Sequence, residues 1–68
     1  MNHQYTLISM TFNLPETQCT LKNMVTTEEL YISINQLAQQ GHLLKQLNKE
    51  SLTAVLFQLE QENQILHH

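Results

Sequence analysis

The sequence predicts a small α+β domain in which an N-terminal β-strand or β-hairpin packs on two α-helices. Apolar and polar residues alternate near the N-terminus, as in a strand with one buried face, and the C-terminal third has the spacing of an amphipathic helix. The chain has 68 residues and one cysteine, so an internal disulfide is excluded. We therefore expect one domain over residues 1–68, with a core that is marginal by itself.

The first predicted element is a strand over residues 5–14. Pro15 then ends the alternation, because proline cannot donate to a ladder. A weaker alternation over residues 18–25 predicts a second strand that closes a hairpin, with a loop as the alternative. We expect four apolar residues to form the inward side of the first strand: Ile8, Met10, Phe12 and Leu14.

A helix is predicted over residues 27–40. Thr26 and Glu29 have the spacing of a capping box, and Gly41 stands where helices commonly end. The alternative is a strand, because residues 30–34 also alternate. Residues 42–47 are too apolar for a solvated linker, so we expect a connector, with room for one helical turn, between the two helices.

The C-terminal helix is predicted over residues 49–66 and is the longest element. Asn48 can cap it, because its side-chain carbonyl can accept a backbone N–H of the first turn. On a helical wheel one stripe is apolar and should face the core: Leu52, Val55, Leu56, Leu59 and Leu66. We expect Leu56 and Leu59, at the centre of this stripe, to be core residues.

The opposite side of the same helix is also partly apolar, although a surface helix of a monomer should be polar there. One interpretation is that these are single exposed side chains, or that the N-terminal strands cover them. The other is an interface with another protein or a second copy of the chain, anchored by Phe57. The predicted partner-binding residues are Ala54, Phe57, Gln58, Gln61 and Ile65.

The charge pattern argues against nucleic acid as a partner. The cations are three lysines, there is no arginine, and six glutamates give a net charge of −3. Nucleic-acid binding relies on Lys and Arg to neutralise phosphates. No apolar run is long enough to cross a bilayer, and the N-terminus lacks the pattern of a signal peptide. With a single cysteine, these features favour a cytoplasmic protein.

No residue pattern predicts catalysis, a cofactor or a metal site. Cys19 has no base at a suggestive spacing, so a small buried apolar residue is the better interpretation. The four histidines show no ligand spacing, and the chain has only one glycine, which excludes a phosphate-cradling loop. We therefore expect a protein that is not an enzyme.

The segment ESLTAVLFQLEQENQI resembles the third helix of winged-helix domains, with Ser and Thr near its start before Leu-x-x-Leu-Glu. The preceding INQLAQQGHLLKQLN is similar to the helix and turn before it. This resemblance implies a helix-turn-helix transcription regulator. Its recognition face, however, would carry Thr53, Gln58 and Gln61 in place of Arg or Lys.

The function that the sequence favours is binding to another protein. The chain would act as a small non-enzymatic regulator, adaptor or inhibitor, either alone or as a homodimer. The alternatives are the helix-turn-helix transcription regulator and a dimeric structural protein.

Overall fold

The fold is α+β, with a three-stranded antiparallel sheet followed by helices. The computed structural model describes residues 4–12 and 15–66, and side chains as far as Asn63. The strands β1 (Tyr5–Thr11), β2 (Gln18–Asn23) and β3 (Glu29–Ser33) lie in the order β1-β2-β3. The helices are α1 (Ile34–Gln39), α2 (Gly41–Leu44) and α3 (Lys49–Leu66). The predicted α+β class is confirmed, and so is a strand within residues 18–25.

A bulge at Ile8 decides which side chains of β1 face the core. Leu7 pairs with Leu21 and Ser9 pairs with Thr20, which leaves Ile8 as an extra residue. A side-chain period of two is inverted by one extra residue. Tyr5 and Leu7 therefore pack inward before the bulge, and Met10 packs inward after it. The expected inward side was wrong for Ile8 and Phe12, which are exposed, and Leu14 lies outside the described residues.

The predicted helix over residues 27–40 was wrong in its first half. Residues 29–33 form β3, which pairs with β2 along its whole length, so the strand alternative holds there. The expected capping box is instead a turn, in which Asn23 Oδ1 accepts the N–H groups of Val25 and Thr26 at 2.8 and 3.1 Å. Helix α1 begins after Ser33, whose hydroxyl accepts the Gln36 N–H as the N-cap.

The connector between α1 and α3 contains one helical turn, α2, as expected for this segment. Gly41 begins α2 and does not end the preceding helix as predicted. Residues 46–48 then run beside β1. Tyr5 N–H donates to the Gln46 carbonyl and Asn48 N–H donates to the Tyr5 carbonyl, at 3.0 and 3.1 Å. Residues 46–48 therefore cover the outer edge of β1 at its start.

The core lies between the inner face of the sheet and the helices. Its buried apolar residues come from every element except β1: Cys19, Leu21, Ile32, Ile34, Leu37, Leu43, Leu47 and Val55. Helix α3 contributes Val55, which is fully buried, while Leu59 is half-buried and Leu56 is 49% exposed. The expectation for Leu56 was therefore wrong.

The winged-helix resemblance does not extend to the order of the elements. In that arrangement the third helix turns into the wing, whereas here all three described strands precede α3.

Candidate functional site

Helix α3 is held against the sheet by polar contacts at its N-terminus. Asn48 caps it by accepting the Ser51 N–H at 3.0 Å, and its amide donates to the Thr6 hydroxyl at 3.1 Å. Ser51 is buried, and its hydroxyl accepts the Leu7 N–H at 2.8 Å. Because Ser51 must face β1, the residue one turn later, Val55, enters the core.

A second set of polar contacts holds the C-terminal half of α3. Glu62 accepts from the Thr17 hydroxyl at 2.5 Å and from the Gln58 amide at 3.0 Å. Thr17 is buried immediately before β2, so α3 runs along the sheet from the Thr6 end to the Thr17 end. Ser51, Val55 and Glu62 thus mark the side of α3 that faces inward.

The outward side of α3 carries two neighbouring apolar side chains. Leu56 is 49% exposed and Phe57 is 61% exposed. On a helix these positions are about 100° and 200° away from Val55, because each residue turns the helix by about 100°. We call this surface the outer face of α3. It is formed by Thr53, Leu56, Phe57, Glu60 and Gln61, all of them exposed.

The structure separates the residues that were predicted to bind a partner. Phe57 and Gln61 are on the outer face of α3. Ala54 is half-buried, and Gln58 is half-buried with its amide donated to Glu62. The side chain of Ile65 lies outside the described residues. Leu56, which the sequence placed in the core, joins Phe57 instead. Ser51 and Glu62 face inward, and giving weight to these two polar residues would have predicted the observed orientation of α3.

A second exposed apolar region lies beyond the sequence-based prediction. Met24 and Val25 project from the turn between β2 and β3, and Tyr31 is exposed on the outward face of β3. The Tyr31 hydroxyl donates to Glu29 Oε1 at 2.8 Å. This hydrogen bond and the Glu29 charge raise the pKa of Tyr31. Tyr31 is therefore a neutral side chain at ordinary pH.

Cys19 is placed as a core residue and not as a nucleophile. It is buried, and burial, followed by the nearby Glu62 carboxylate, raises the pKa of its thiol. A nucleophilic cysteine needs the opposite shift, because the thiolate is the reactive form. Among the described residues, no group of His, Cys, Asp and Glu side chains is arranged to hold a metal ion.

The three lysines lie at one end of the sheet, but glutamates accompany them. Lys22 pairs across the strands with Thr6 and Glu29, and Lys49 lies between Asn48, a contact of Thr6, and Glu50. Lys45 precedes Gln46, whose carbonyl accepts the Tyr5 N–H at the same end of the sheet. Glu28 lies at the end of the turn between β2 and β3, where its carbonyl accepts the Asn23 N–H. The three lysines are therefore accompanied by Glu28, Glu29 and Glu50, and the formal charges of these six residues sum to zero. The remaining glutamates, which account for the net charge of −3, are Glu16, Glu60 and Glu62.

Within the described ranges, no helix combines the length and the apolar character that crossing a bilayer requires. A scan against models of protein families and searches of curated proteins and of solved structures found no match to this chain. What the protein does must therefore be inferred from its own surface.

Proposed function

We propose that the chain is a small non-enzymatic binding protein that acts as a regulator, adaptor or inhibitor by docking the outer face of α3 on another protein. The observation that carries the proposal is the pair of adjacent exposed apolar residues, Leu56 and Phe57, on a helix that is already fixed to its own core. Ser51 and Val55 occupy the inward side of this helix, which leaves Leu56 49% and Phe57 61% exposed.

The outer face of α3 combines apolar and polar side chains, as protein interfaces do. Leu56 and Phe57 supply an apolar centre, and Thr53, Glu60 and Gln61 supply a polar rim. Burying an apolar side chain that water had surrounded is worth about 1.5–3 kcal/mol. Because hydrogen bonds between Ser51 and Leu7 and between Thr17 and Glu62 hold both halves of α3, little ordering of the helix has to accompany binding.

The test is affinity capture from the native cell with the full chain, followed by mass spectrometry. Wild type is compared with Phe57→Ala and with Gln39→Ala, an exposed residue at the end of α1. We expect Phe57→Ala to weaken capture of the same partner by about 30-fold, which corresponds to the ~2 kcal/mol typical of an aromatic anchor. Its melting temperature should stay within about 2 °C of wild type.

Two outcomes would contradict the proposal. In one, Phe57→Ala captures every partner as well as Gln39→Ala does. In the other, Phe57→Ala unfolds the monomer, which would make Phe57 a core residue.

The alternative proposal is a nucleic-acid-binding regulator, and the gathering of all three lysines at one end of the sheet favours it. The glutamates beside them oppose it, because a phosphate backbone needs a net positive surface. An anisotropy titration with duplex DNA at physiological salt distinguishes the two proposals. Protein binding through α3 predicts no DNA binding below micromolar concentration.

A further inference from the structure

The two edges of the sheet are treated differently. The outer edge of β1 is occupied at Tyr5 by residues 46–48 and at Leu7 by the Ser51 hydroxyl. The outer edge of β3 has no strand, helix or side chain bonded to it in the described part of the chain. Edge strands usually carry Lys, Pro or a bulge that blocks further pairing. The sequence of β3, ELYIS, has no Lys or Pro, its pairing with β2 is regular, and its one charge, Glu29, stands at the first position.

The hydrogen-bonding pattern shows which main-chain groups are available on that edge. Asn23 N–H donates to the Glu28 carbonyl, and Ile34 N–H donates to the Thr17 carbonyl. In a regular antiparallel ladder every second residue bonds to the same neighbour. Residues 28, 30, 32 and 34 therefore bond toward β2. The main-chain groups of Glu29 and Tyr31, and the N–H of Ser33, point to the open edge.

We propose that β3 pairs antiparallel with β3 of a second copy of this chain, about a two-fold axis at Tyr31, to form a continuous six-stranded sheet. In this register Tyr31 faces Tyr31, and the two residues exchange N–H···O=C bonds. Leu30 faces Ile32 of the second copy, so the inner-face side chain of Leu30, which is 36% exposed, becomes covered. Glu29 faces the neutral Ser33, whose N–H can donate to the Glu29 carbonyl.

A second copy fits this edge because the strand is complementary to itself in one register. A centre at Leu30 would set Ile32 and Ser33 opposite residues 27–28 of the turn, and a centre at Ile32 would set Glu29 and Leu30 opposite α1, so neither pairs the whole strand. A centre at Glu29 would set two carboxylates opposite each other, which destabilises a strand pair. A centre at Ser33 would run into α1, which begins at Ile34. The centre at Tyr31 puts no like charges opposite each other and pairs apolar residues on the inner face.

This dimer is separate from the partner site on α3, and its failure leaves that proposal intact. Sedimentation velocity on the full chain over a dilution series measures it, with a mass approaching twice the 8.0 kDa of one chain as the expected result. Tyr31→Lys would put two ammonium groups across the axis and should weaken the dimer at least about tenfold. Tyr31→Thr is the matched control, because threonine is uncharged and favours strands, and it should dimerise.

A cross-linking variant gives a second measurement that does not depend on the lysine. Tyr31→Cys should form a disulfide-linked dimer on mild oxidation, since facing Cα atoms about 5.5 Å apart permit the bond. Thr26→Cys, on the exposed turn, is the control and should cross-link far more slowly. Wild type should form no disulfide-linked dimer under these conditions, because Cys19 is buried.

Three results would overturn the proposed dimer. The first is a wild-type chain that stays monomeric up to about 1 mM. The second is a dimer that Tyr31→Lys leaves unchanged but Phe57→Ala dissociates, which would place the contact on α3. The third is a Tyr31→Cys chain that cross-links no faster than Thr26→Cys, and this result decides the matter if Tyr31→Lys fails to fold.

Discussion

Ser51 is the residue that sets the orientation of α3. Its hydroxyl accepts the Leu7 N–H and lies 3.3 Å from the Thr6 hydroxyl, so this side of the helix must meet β1. A helical wheel that weighs only apolar residues gives no weight to a serine. It therefore centred the stripe near Leu56 and Leu59. Phe57 and Gln61 are exposed in both the predicted and the observed orientation of α3, but the half-buried positions of Ala54 and Gln58 could not be predicted without this contact.

The Cys19 thiol should make the stability of the protein fall at alkaline pH. Because burial raises its pKa in the fold, the unfolded chain loses this proton first as the pH rises above 9.0. The folded state then binds more protons than the unfolded state, and the free energy of unfolding decreases with pH up to the raised value. Urea denaturation between about pH 8 and about pH 10 measures the slope.

The matched variant is Cys19→Ala, which is less stable at every pH but lacks the thiol. Tyr31 also titrates with a raised pKa, and it remains in both chains, so its contribution cancels in the comparison. We expect a steeper decline for wild type than for Cys19→Ala. Equal slopes would show that the thiol is not protected in the fold.

At the scale of elements, local sequence signals predicted some boundaries and missed others. Alternation found β1 and β2, and the caps and spacing found α3 at Lys49–Leu66. The Thr26 and Glu29 pair is a local signal that fits a helix start and a turn equally well. Pairing of β3 with β2 selected the turn, and that is a contact between segments which no local pattern reveals. The bulge at Ile8 was missed for the same reason.

The turn between β2 and β3 provides a prediction about this element. Thr27 has a φ of 66°, a conformation that is unfavourable for a β-branched residue. Thr27→Gly should remove this strain and raise the free energy of unfolding by up to about 1 kcal/mol. Thr26→Gly is the control, because Thr26 has no positive φ and its hydroxyl accepts the Glu28 N–H.

Chemical denaturation of both turn variants distinguishes strain from general flexibility. Both variants lose a hydroxyl hydrogen bond and gain chain entropy when unfolded, but only Thr27→Gly relieves a positive φ. The control should therefore be less stable than wild type and less stable than Thr27→Gly. A loss of stability in Thr27→Gly equal to that in Thr26→Gly would contradict the strained turn.

At the scale of the whole molecule, a small core is combined with two exposed surfaces. The alternation and the helical spacing of apolar residues predicted the α+β class. They could not predict which apolar residues would remain exposed, because this depends on how α3 is turned and on which edge of the sheet is covered. The outer face of α3 and the open edge of β3 both follow from contacts made by β1 and by residues 46–51.

The orientation of α3 is the central claim, because the proposed function depends on an outward Leu56 and Phe57. The most direct test is the free energy of unfolding of Val55→Ala beside that of Leu56→Ala, each measured in urea. Val55 is fully buried, so we expect a loss of about 2 kcal/mol for Val55→Ala. Leu56→Ala should change stability by less than about 0.5 kcal/mol. If Leu56→Ala cost as much as Val55→Ala or more, Leu56 would be a core residue and the outer face of α3 would not exist as described.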